Sequence, residues 1–127
     1  MLRLASGASI IAMRLKSGLW VRAYLHYCQA AGVPAVIARR GDESAGAIFI
    51  AIDLLDGSVH LFAPAPAGLE GSETERRWVS SLSAKPVNRE EADTYLRREA
   101  DFDPDIWVIE VEDKQGRHFL GDAALEE

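Results

Sequence analysis

The sequence predicts an α+β domain: a twisted, mainly antiparallel sheet with two helices on its core face, in the order α-β-β-β-β-α-β-β. Three observations carry that expectation. Residues 17–31 and 88–100 repeat apolar side chains at helical spacing. Shorter stretches between and after them alternate, or run apolar, over strand lengths. Turn residues such as Asp56-Gly57 and Gly116 stand between those stretches.

Residues 1–12 hold a short apolar patch without the long core of a signal peptide, and a second methionine, Met13, follows; they read as a leader or alternative start, loosely ordered. Ser17 suits a helix N-cap. Trp20, Tyr24, Tyr27, Cys28 and Ala31 then form an apolar stripe widened by Val21 and Leu25, and Gly32 and Pro34 end the helix. Residues 34–40 are a short strand. Residues 47–55 are apolar on both faces except for Asp53, the pattern of a central, doubly covered strand. Asp56-Gly57 returns the chain as residues 58–62, so these three strands are expected as an antiparallel meander.

Residues 63–75 have loop composition and are the expected mobile part of the interior, and residues 76–82 are a strand anchored by Trp78. Asn88 with Glu91 makes a capping box opening a helix to about residue 100, buried along Ala92, Tyr95, Leu96 and Ala100. In residues 106–113, Trp107, Ile109 and Val111 share the core face and Glu110 and Glu112 the solvent face. A turn with Gly116 at positive φ then predicts a return strand that sets Glu112 opposite His118 and Val111 opposite Phe119. Residues 13–122 thus read as one domain, with residues 123–127 as a C-terminal tail.

Composition limits function. With 127 residues, 48% hydrophobic and 27% charged, the chain can bury a full core without staples. No apolar run approaches a membrane span, so no membrane partner is expected. The single Cys28 excludes an internal disulfide and a thiolate zinc cage, which fits a cytoplasmic location. On the buried helix face it reads as inert. The net charge of -6 argues against nucleic acid, although the first 41 residues contain six Lys or Arg and no acid.

The chemistry-bearing residues have structural explanations beside functional ones. Pro104-Asp105 with Glu112-Asp113-Lys114 spells a metal-nuclease signature, but a continuous strand would hold Asp105 and Glu112 roughly 23 Å apart. Glu110, Glu112 and His118 on one hairpin face are candidates for acid/base work or metal binding, with a cross-strand ion pair as the ordinary alternative. His26 and His60 lack metal-ligand spacing. Arg39, Arg40, Arg76 and Arg77 would make an anion-binding patch if their strands lie side by side, and charged strand ends explain them equally. Arg40-Gly41-Asp42 is an adhesion tripeptide of common residues and carries no weight alone. No phosphate loop, nucleophile elbow or dinucleotide fingerprint occurs, and no cofactor is expected.

Four segments carry a resemblance: RLKSGLWV at 14–21, RRGD at 39–42, ERRW at 75–78, and FDPDIWVIEVEDKQGRHFL at 102–120. Together they resemble the bacterial family of domain of unknown function 1491. Its members are short single-domain proteins without assigned activity, so the resemblance implies no catalytic residue. It implies that Met13 corresponds to the usual start. The expectation is a small cytoplasmic protein-interaction or ligand-binding module without catalytic activity, its partner another protein or a second copy in a homodimer. One alternative is a metal-dependent hydrolase or nuclease-like enzyme using Glu110, Glu112 and His118. The other is an RNA-associated protein using Arg14, Lys16, Arg22, Arg39 and Arg40.

Overall fold

The structure, a computed structural model, describes residues 14–66 and 75–125. The leader expected at residues 1–12 and the centre of the loop expected at 63–75 lie outside the described residues. The chain runs α1 (Ser17–Ala30), β1 (Ala35–Arg39), β2 (Ile48–Asp53), β3 (Ser58–Pro64), β4 (Trp78–Ser80), β5 (Val87–Asn88), α2 (Arg89–Phe102) and β6 (Trp107–Glu112), ending in a 3-10 turn at Gly121–Ala123. It is an α+β domain built on one open, six-stranded sheet in the order β1-β6-β2-β3-β4, with β5 pairing the other end of β3. Among the named strands every pairing is antiparallel except that of β2 with β6, and one isolated parallel bridge joins Trp78 to Ala124.

The two helices cover opposite faces of the sheet, whereas the sequence suggested one shared face. The cause is visible in the two central strands. Ile48, Ile50 and Ile52 of β2 and Trp107, Ile109 and Val111 of β6 pack with Trp20, Val21, Tyr24 and Cys28 of α1. The intervening Phe49 and Val108 pack with Ile106, Tyr95, Leu96 and Ala100 on the α2 side, where Ala51 also meets Ala92. Strands apolar on both faces need a layer on each side.

Two further differences follow from strand order. β1 and β2 do not form a meander with β3, because β6 inserts between them, antiparallel to β1 and parallel to β2. With both edges of β6 occupied, no return strand can pair with it. The turn itself forms as expected, with Gly116 at φ 70 and its N–H donating to the Asp113 carbonyl at 2.9 Å. Beyond it the chain leaves the sheet, Phe119 adopts φ 59, and the segment crosses to the α1 side. There Leu120 and Ala123 are buried and the Leu125 N–H donates to the Trp78 carbonyl at 2.8 Å, so the tail is tied to the sheet as far as residue 125.

The helix ends are set locally. Asn88 caps α2 by accepting from the Glu91 N–H at 2.8 Å, as its sequence indicates. Ser17, expected as the cap of α1, is instead its first helical residue, after Lys16. Its buried hydroxyl donates to the Gly46 carbonyl at 2.6 Å, while the Gly18 N–H donates to the Glu43 carbonyl at 2.8 Å. The carbonyls of the 41–46 loop thus satisfy groups that a capping side chain would otherwise serve.

Candidate functional site

The expected hairpin-face cluster does not assemble. Residue parity puts Glu110 on the α2 side, where Arg89 contacts it at 2.5 Å, and Glu112 is exposed at the strand end. His118 lies on the α1 side, with the sheet between it and Glu110. β6 runs unbroken from Trp107 to Glu112, which keeps Asp105 away from Glu112. Among the described residues no group of three or more His, Cys, Asp or Glu is placed to hold a metal ion.

The arginines are also dispersed, because β1 and β4 are opposite ends of the main strand order. Arg39 donates to the Pro104 carbonyl at 3.1 Å, and Arg40 contacts Glu43 at 3.1 Å. Arg76 is buried and donates to the Leu15 carbonyl at 2.6 Å and to Ser17 Oγ at 3.2 Å. Its burial and the charge of Arg14 lower its pKa to about 10. Arg77 pairs with Glu75. Of the N-terminal cations, Arg22 and Arg40 share Glu43, which dilutes the basic patch an RNA contact would need. Cys28 is buried beside Tyr24, and burial pushes its thiol up to about 11, the behaviour of an inert core thiol.

What the fold brings together was not paired by the sequence: His60 of β3, Ser80 of β4 and His118 of the C-terminal segment. They line a concavity of about 600 Å³ on the α1 side, with Phe62 between the imidazoles and Asp122 and Leu125 at the rim. Strand pairing explains the placement. Phe62 is opposite Ser80 in the β3–β4 register, and His60, two residues before Phe62, shares its face. His60 Nε2 is 3.0 Å from Ser80 Oγ. The His60 ring lies 4.5 Å from that of Phe62, and His118 meets Phe62 edge-on at 5.2 Å.

His118 is fixed from both sides. Its carbonyl accepts from the Tyr24 hydroxyl at 2.6 Å and its Nδ1 accepts from the Leu120 N–H at 2.9 Å. Accepting at Nδ1 places the proton of the neutral ring on Nε2, which becomes its donor. Burial, and then repulsion from His60, hold the His118 pKa below the usual 6.5, favouring the neutral ring. The site therefore offers an imidazole donor, a Ser–His hydrogen bond, a carboxylate and an aromatic wall. His118 alone was a sequence candidate. His60 carried only the signal of facing the opposite way from Val59 and Leu61, and nothing in the spacing joined it to Ser80 or Asp122.

The profile of the family described as protein of unknown function (DUF1491) matches residues 15–121. Among solved structures, the chain is similar to a DUF1491 family protein from Caulobacter crescentus CB15 seen in a crystal structure. Identity is 34% over 90% of this chain and 100% of that one, with a TM-score of 0.74. An NMR structure of a DUF1491 family protein from the same organism gives 36% identity over 90% and 99% of the two chains and a TM-score of 0.73. A protein from A. tumefaciens, solved in solution, gives 41% identity over 79% and 86% and a TM-score of 0.68. No curated protein matches the chain.

Proposed function

Since the chain belongs to the DUF1491 family, described only as proteins of unknown function, we propose from the site itself that it is a small-ligand-binding module whose pocket is the concavity between His60 and His118. The observation that carries this reading is the convergence of two imidazoles and the Ser80 hydroxyl around Phe62 in one open hollow. A hollow with an apolar wall and a few converging polar groups is the usual form of a small-molecule site. The ligand class follows from the groups present. An acceptor atom suits the His118 Nε2–H, a donor suits the Asp122 carboxylate, and a flat or apolar part suits Phe62 and Leu125. The reading keeps the protein in the cytoplasm, supported by its single, buried cysteine.

The test is a ¹⁵N-correlation NMR screen of the protein against a library of small polar metabolites, repeated with Ser80→Ala and His60→Gln. Binding that shifts the amides of residues 60–62, 80 and 118–122 and weakens at least tenfold in both variants supports the reading. An absence of hits, or hits mapping elsewhere, overturns it.

The hydrogen bond between His60 and Ser80 favours a second reading, acyl transfer with Ser80 as nucleophile and His60 as base. Hydrolysis of p-nitrophenyl esters that disappears in Ser80→Ala and in His60→Gln would establish it. Hydrolysis unchanged in either variant would remove it.

A further inference from the structure

A second surface, on the other face of the sheet, has the form of a peptide-docking groove. β1 is an edge strand, with β6 as its partner on one side and no partner strand on the other among the described residues. The direction of its backbone groups follows from the pairing. The Glu112 N–H donates to the Pro34 carbonyl at 2.9 Å, so residues 34 and 112 form a hydrogen-bonded pair, and the next such pair is Val36 with Glu110. Ala35 and Ile37 are the intervening non-hydrogen-bonded pairs, so their N–H and C=O groups face outward along the edge. Val36, on the α2 face, is 59% exposed. An outward ladder beside an exposed β-branched side chain is a template for an added strand.

Beside this edge runs a groove of about 260 Å³ between β1 and α2. Ala38, Val108, Leu96 and Ala100 give it apolar walls; of its charged lining, Asp93 and Glu110 are both paired with Arg89, which leaves Arg39 and Arg97 as the cations in excess. The register shift between Ile37 and Arg39 puts Arg39 opposite Val108, on the α2 face. Without that bulge, alternation would turn Arg39 to the α1 side. The two arginines differ from most others in the chain. Arg22, Arg40, Arg77, Arg89 and Arg117 each contact a carboxylate. Among the described residues, Arg39 donates to a backbone carbonyl and Arg97 to the Thr94 hydroxyl at 3.3 Å, and neither contacts a carboxylate. In a chain of net charge -6, two guanidinium groups without acidic partners among the described residues flank one groove at the end of an edge strand.

The geometry points to this groove as the docking site of an extended, acidic segment of a partner protein, added to β1 as a further strand. Its backbone pairs with Ala35 and Ile37. An apolar side chain on the α2 face lies over Val36 and Ala38, and a carboxylate on the same face reaches Arg39 and Arg97. Backbone pairing supplies affinity, and the arginine fork selects acidic sequences, bidentate carboxylate recognition being what a guanidinium does best.

The experiment begins with selection of a random linear decapeptide phage library on the whole protein, followed by synthesis of the most enriched peptide. Enriched sequences should combine β-branched residues with an acid two positions away. The synthetic peptide should slow amide hydrogen exchange at Ala35 and Ile37 by tenfold or more. Arg39→Glu with Arg97→Glu should weaken binding at least tenfold with the spectrum of the free protein preserved, and Arg39→Lys with Arg97→Lys should lose less. A selection without enrichment, enriched basic sequences, or a peptide that shifts residues 60 and 118 instead would each overturn the proposal. So would concentration-dependent protection of Ala35 and Ile37 without peptide, which would assign the edge to a second copy of this chain.

Discussion

The indole N–H of Trp107 donates to the carbonyl of Asp42 at 2.8 Å and ties the start of β6 to the loop between β1 and β2. Asp42 returns the contact, its N–H donating to the Asp105 carbonyl at 2.9 Å, and its carboxylate accepts from the N–H groups of Ser44 and Ala45 at 3.1 and 2.8 Å. The two distinctive segments RRGD and FDPDIW therefore form one junction, which also receives the N-terminus of α1 through Ser17 and Gly46. Replacing Trp107 by Phe should cost about 1 kcal/mol by removing the shorter of the two hydrogen bonds to the Asp42 carbonyl, which keeps the Gly46 N–H at 3.2 Å, and replacing it by Ala about 3–5 kcal/mol by opening a cavity as well. Glu112→Ala, at an exposed position on the same strand, should change stability by less than about 0.5 kcal/mol. Urea denaturation of the three variants checks the order.

The junction also explains its glycines. A Cβ on Gly46 would stand 2.3 Å from the Asp105 carbonyl oxygen and 2.8 Å from the Asp42 nitrogen, both backbone atoms that cannot swing aside. Gly46→Ala should destabilise by about 1–3 kcal/mol, the range for forced overpacking. Gly57→Ala is the comparison, since nothing lies within 4 Å of its added Cβ and only its φ of +92 opposes the change. Thermal denaturation should show the loss of stability for Gly46→Ala, and hydrogen exchange should show the Asp42 amide losing protection in Gly46→Ala and retaining it in Gly57→Ala.

Arg89 holds together the α2 face. Its guanidinium contacts Asp93 at 2.8 Å within the helix, Asp53 at 3.3 Å on β2 and Glu110 at 2.5 Å on β6. Asp93, then Glu110, raise its pKa further, so it stays charged throughout the accessible range. Arg89→Met should cost about 2 kcal/mol. That is less than the ~3–5 kcal/mol of a fully buried broken pair, because the side chain is 36% exposed and solvent screens what remains. Adding Glu110→Gln to Arg89→Met should recover part of the loss, since the stranded half-buried carboxylate is then gone. A double-mutant cycle by urea midpoint reads the coupling directly.

Local features were legible where the chain decides them alone. The stripe from Trp20 to Cys28, the Asn88 cap, the doubly apolar β2 and the positive φ of Gly116 all follow from spacing or turn chemistry. Tyr27 marks the limit of that reading. It fits the helical stripe yet is 42% exposed, because its outer partner is Phe119 from the C-terminal segment, 6.0 Å away. The misplaced return strand has the same origin. Whether β6 has a free edge depends on long-range pairing with both β1 and β2, which no local pattern encodes. The union of His60, Ser80 and His118 was hidden for that reason too, since it needs the β3–β4 register and the path of the chain after the turn.

The hydroxyl of Ser17 is placed to matter more than a capping group. It donates to the Gly46 carbonyl at 2.6 Å and accepts from Arg76 at 3.2 Å in a buried site. Ser17→Ala should therefore leave a buried carbonyl and part of a buried guanidinium unsatisfied, at a cost of about 1–3 kcal/mol. Ser17→Asp, which a simple N-cap would welcome, should also destabilise, because it removes the donor that Gly46 requires. Equal or higher stability of Ser17→Asp in guanidinium denaturation would return Ser17 to the role of an ordinary cap.

His118 links the candidate site to pH. Its folded pKa lies below that of the unfolded chain because burial, and then His60, disfavour the imidazolium. In the window between the two values the unfolded chain binds the extra proton, so stability rises with pH there. The contribution is complete above about pH 6.5 and is lost as pH falls through the folded value. His118→Asn, which keeps a polar side chain but does not titrate, should flatten this part of the profile while the acid limb at lower pH remains. That lower limb has its own source in Asp113, whose carboxylate Arg117 holds down at about 2, so its contribution is full above the unfolded value of about 4 and is lost progressively as pH falls from there through about 2. Urea midpoints measured from pH 4.5 to 8, with NMR titration of the His118 ring, test the assignment. A ring that titrates above 6.5, or a profile unchanged by His118→Asn, would sink it.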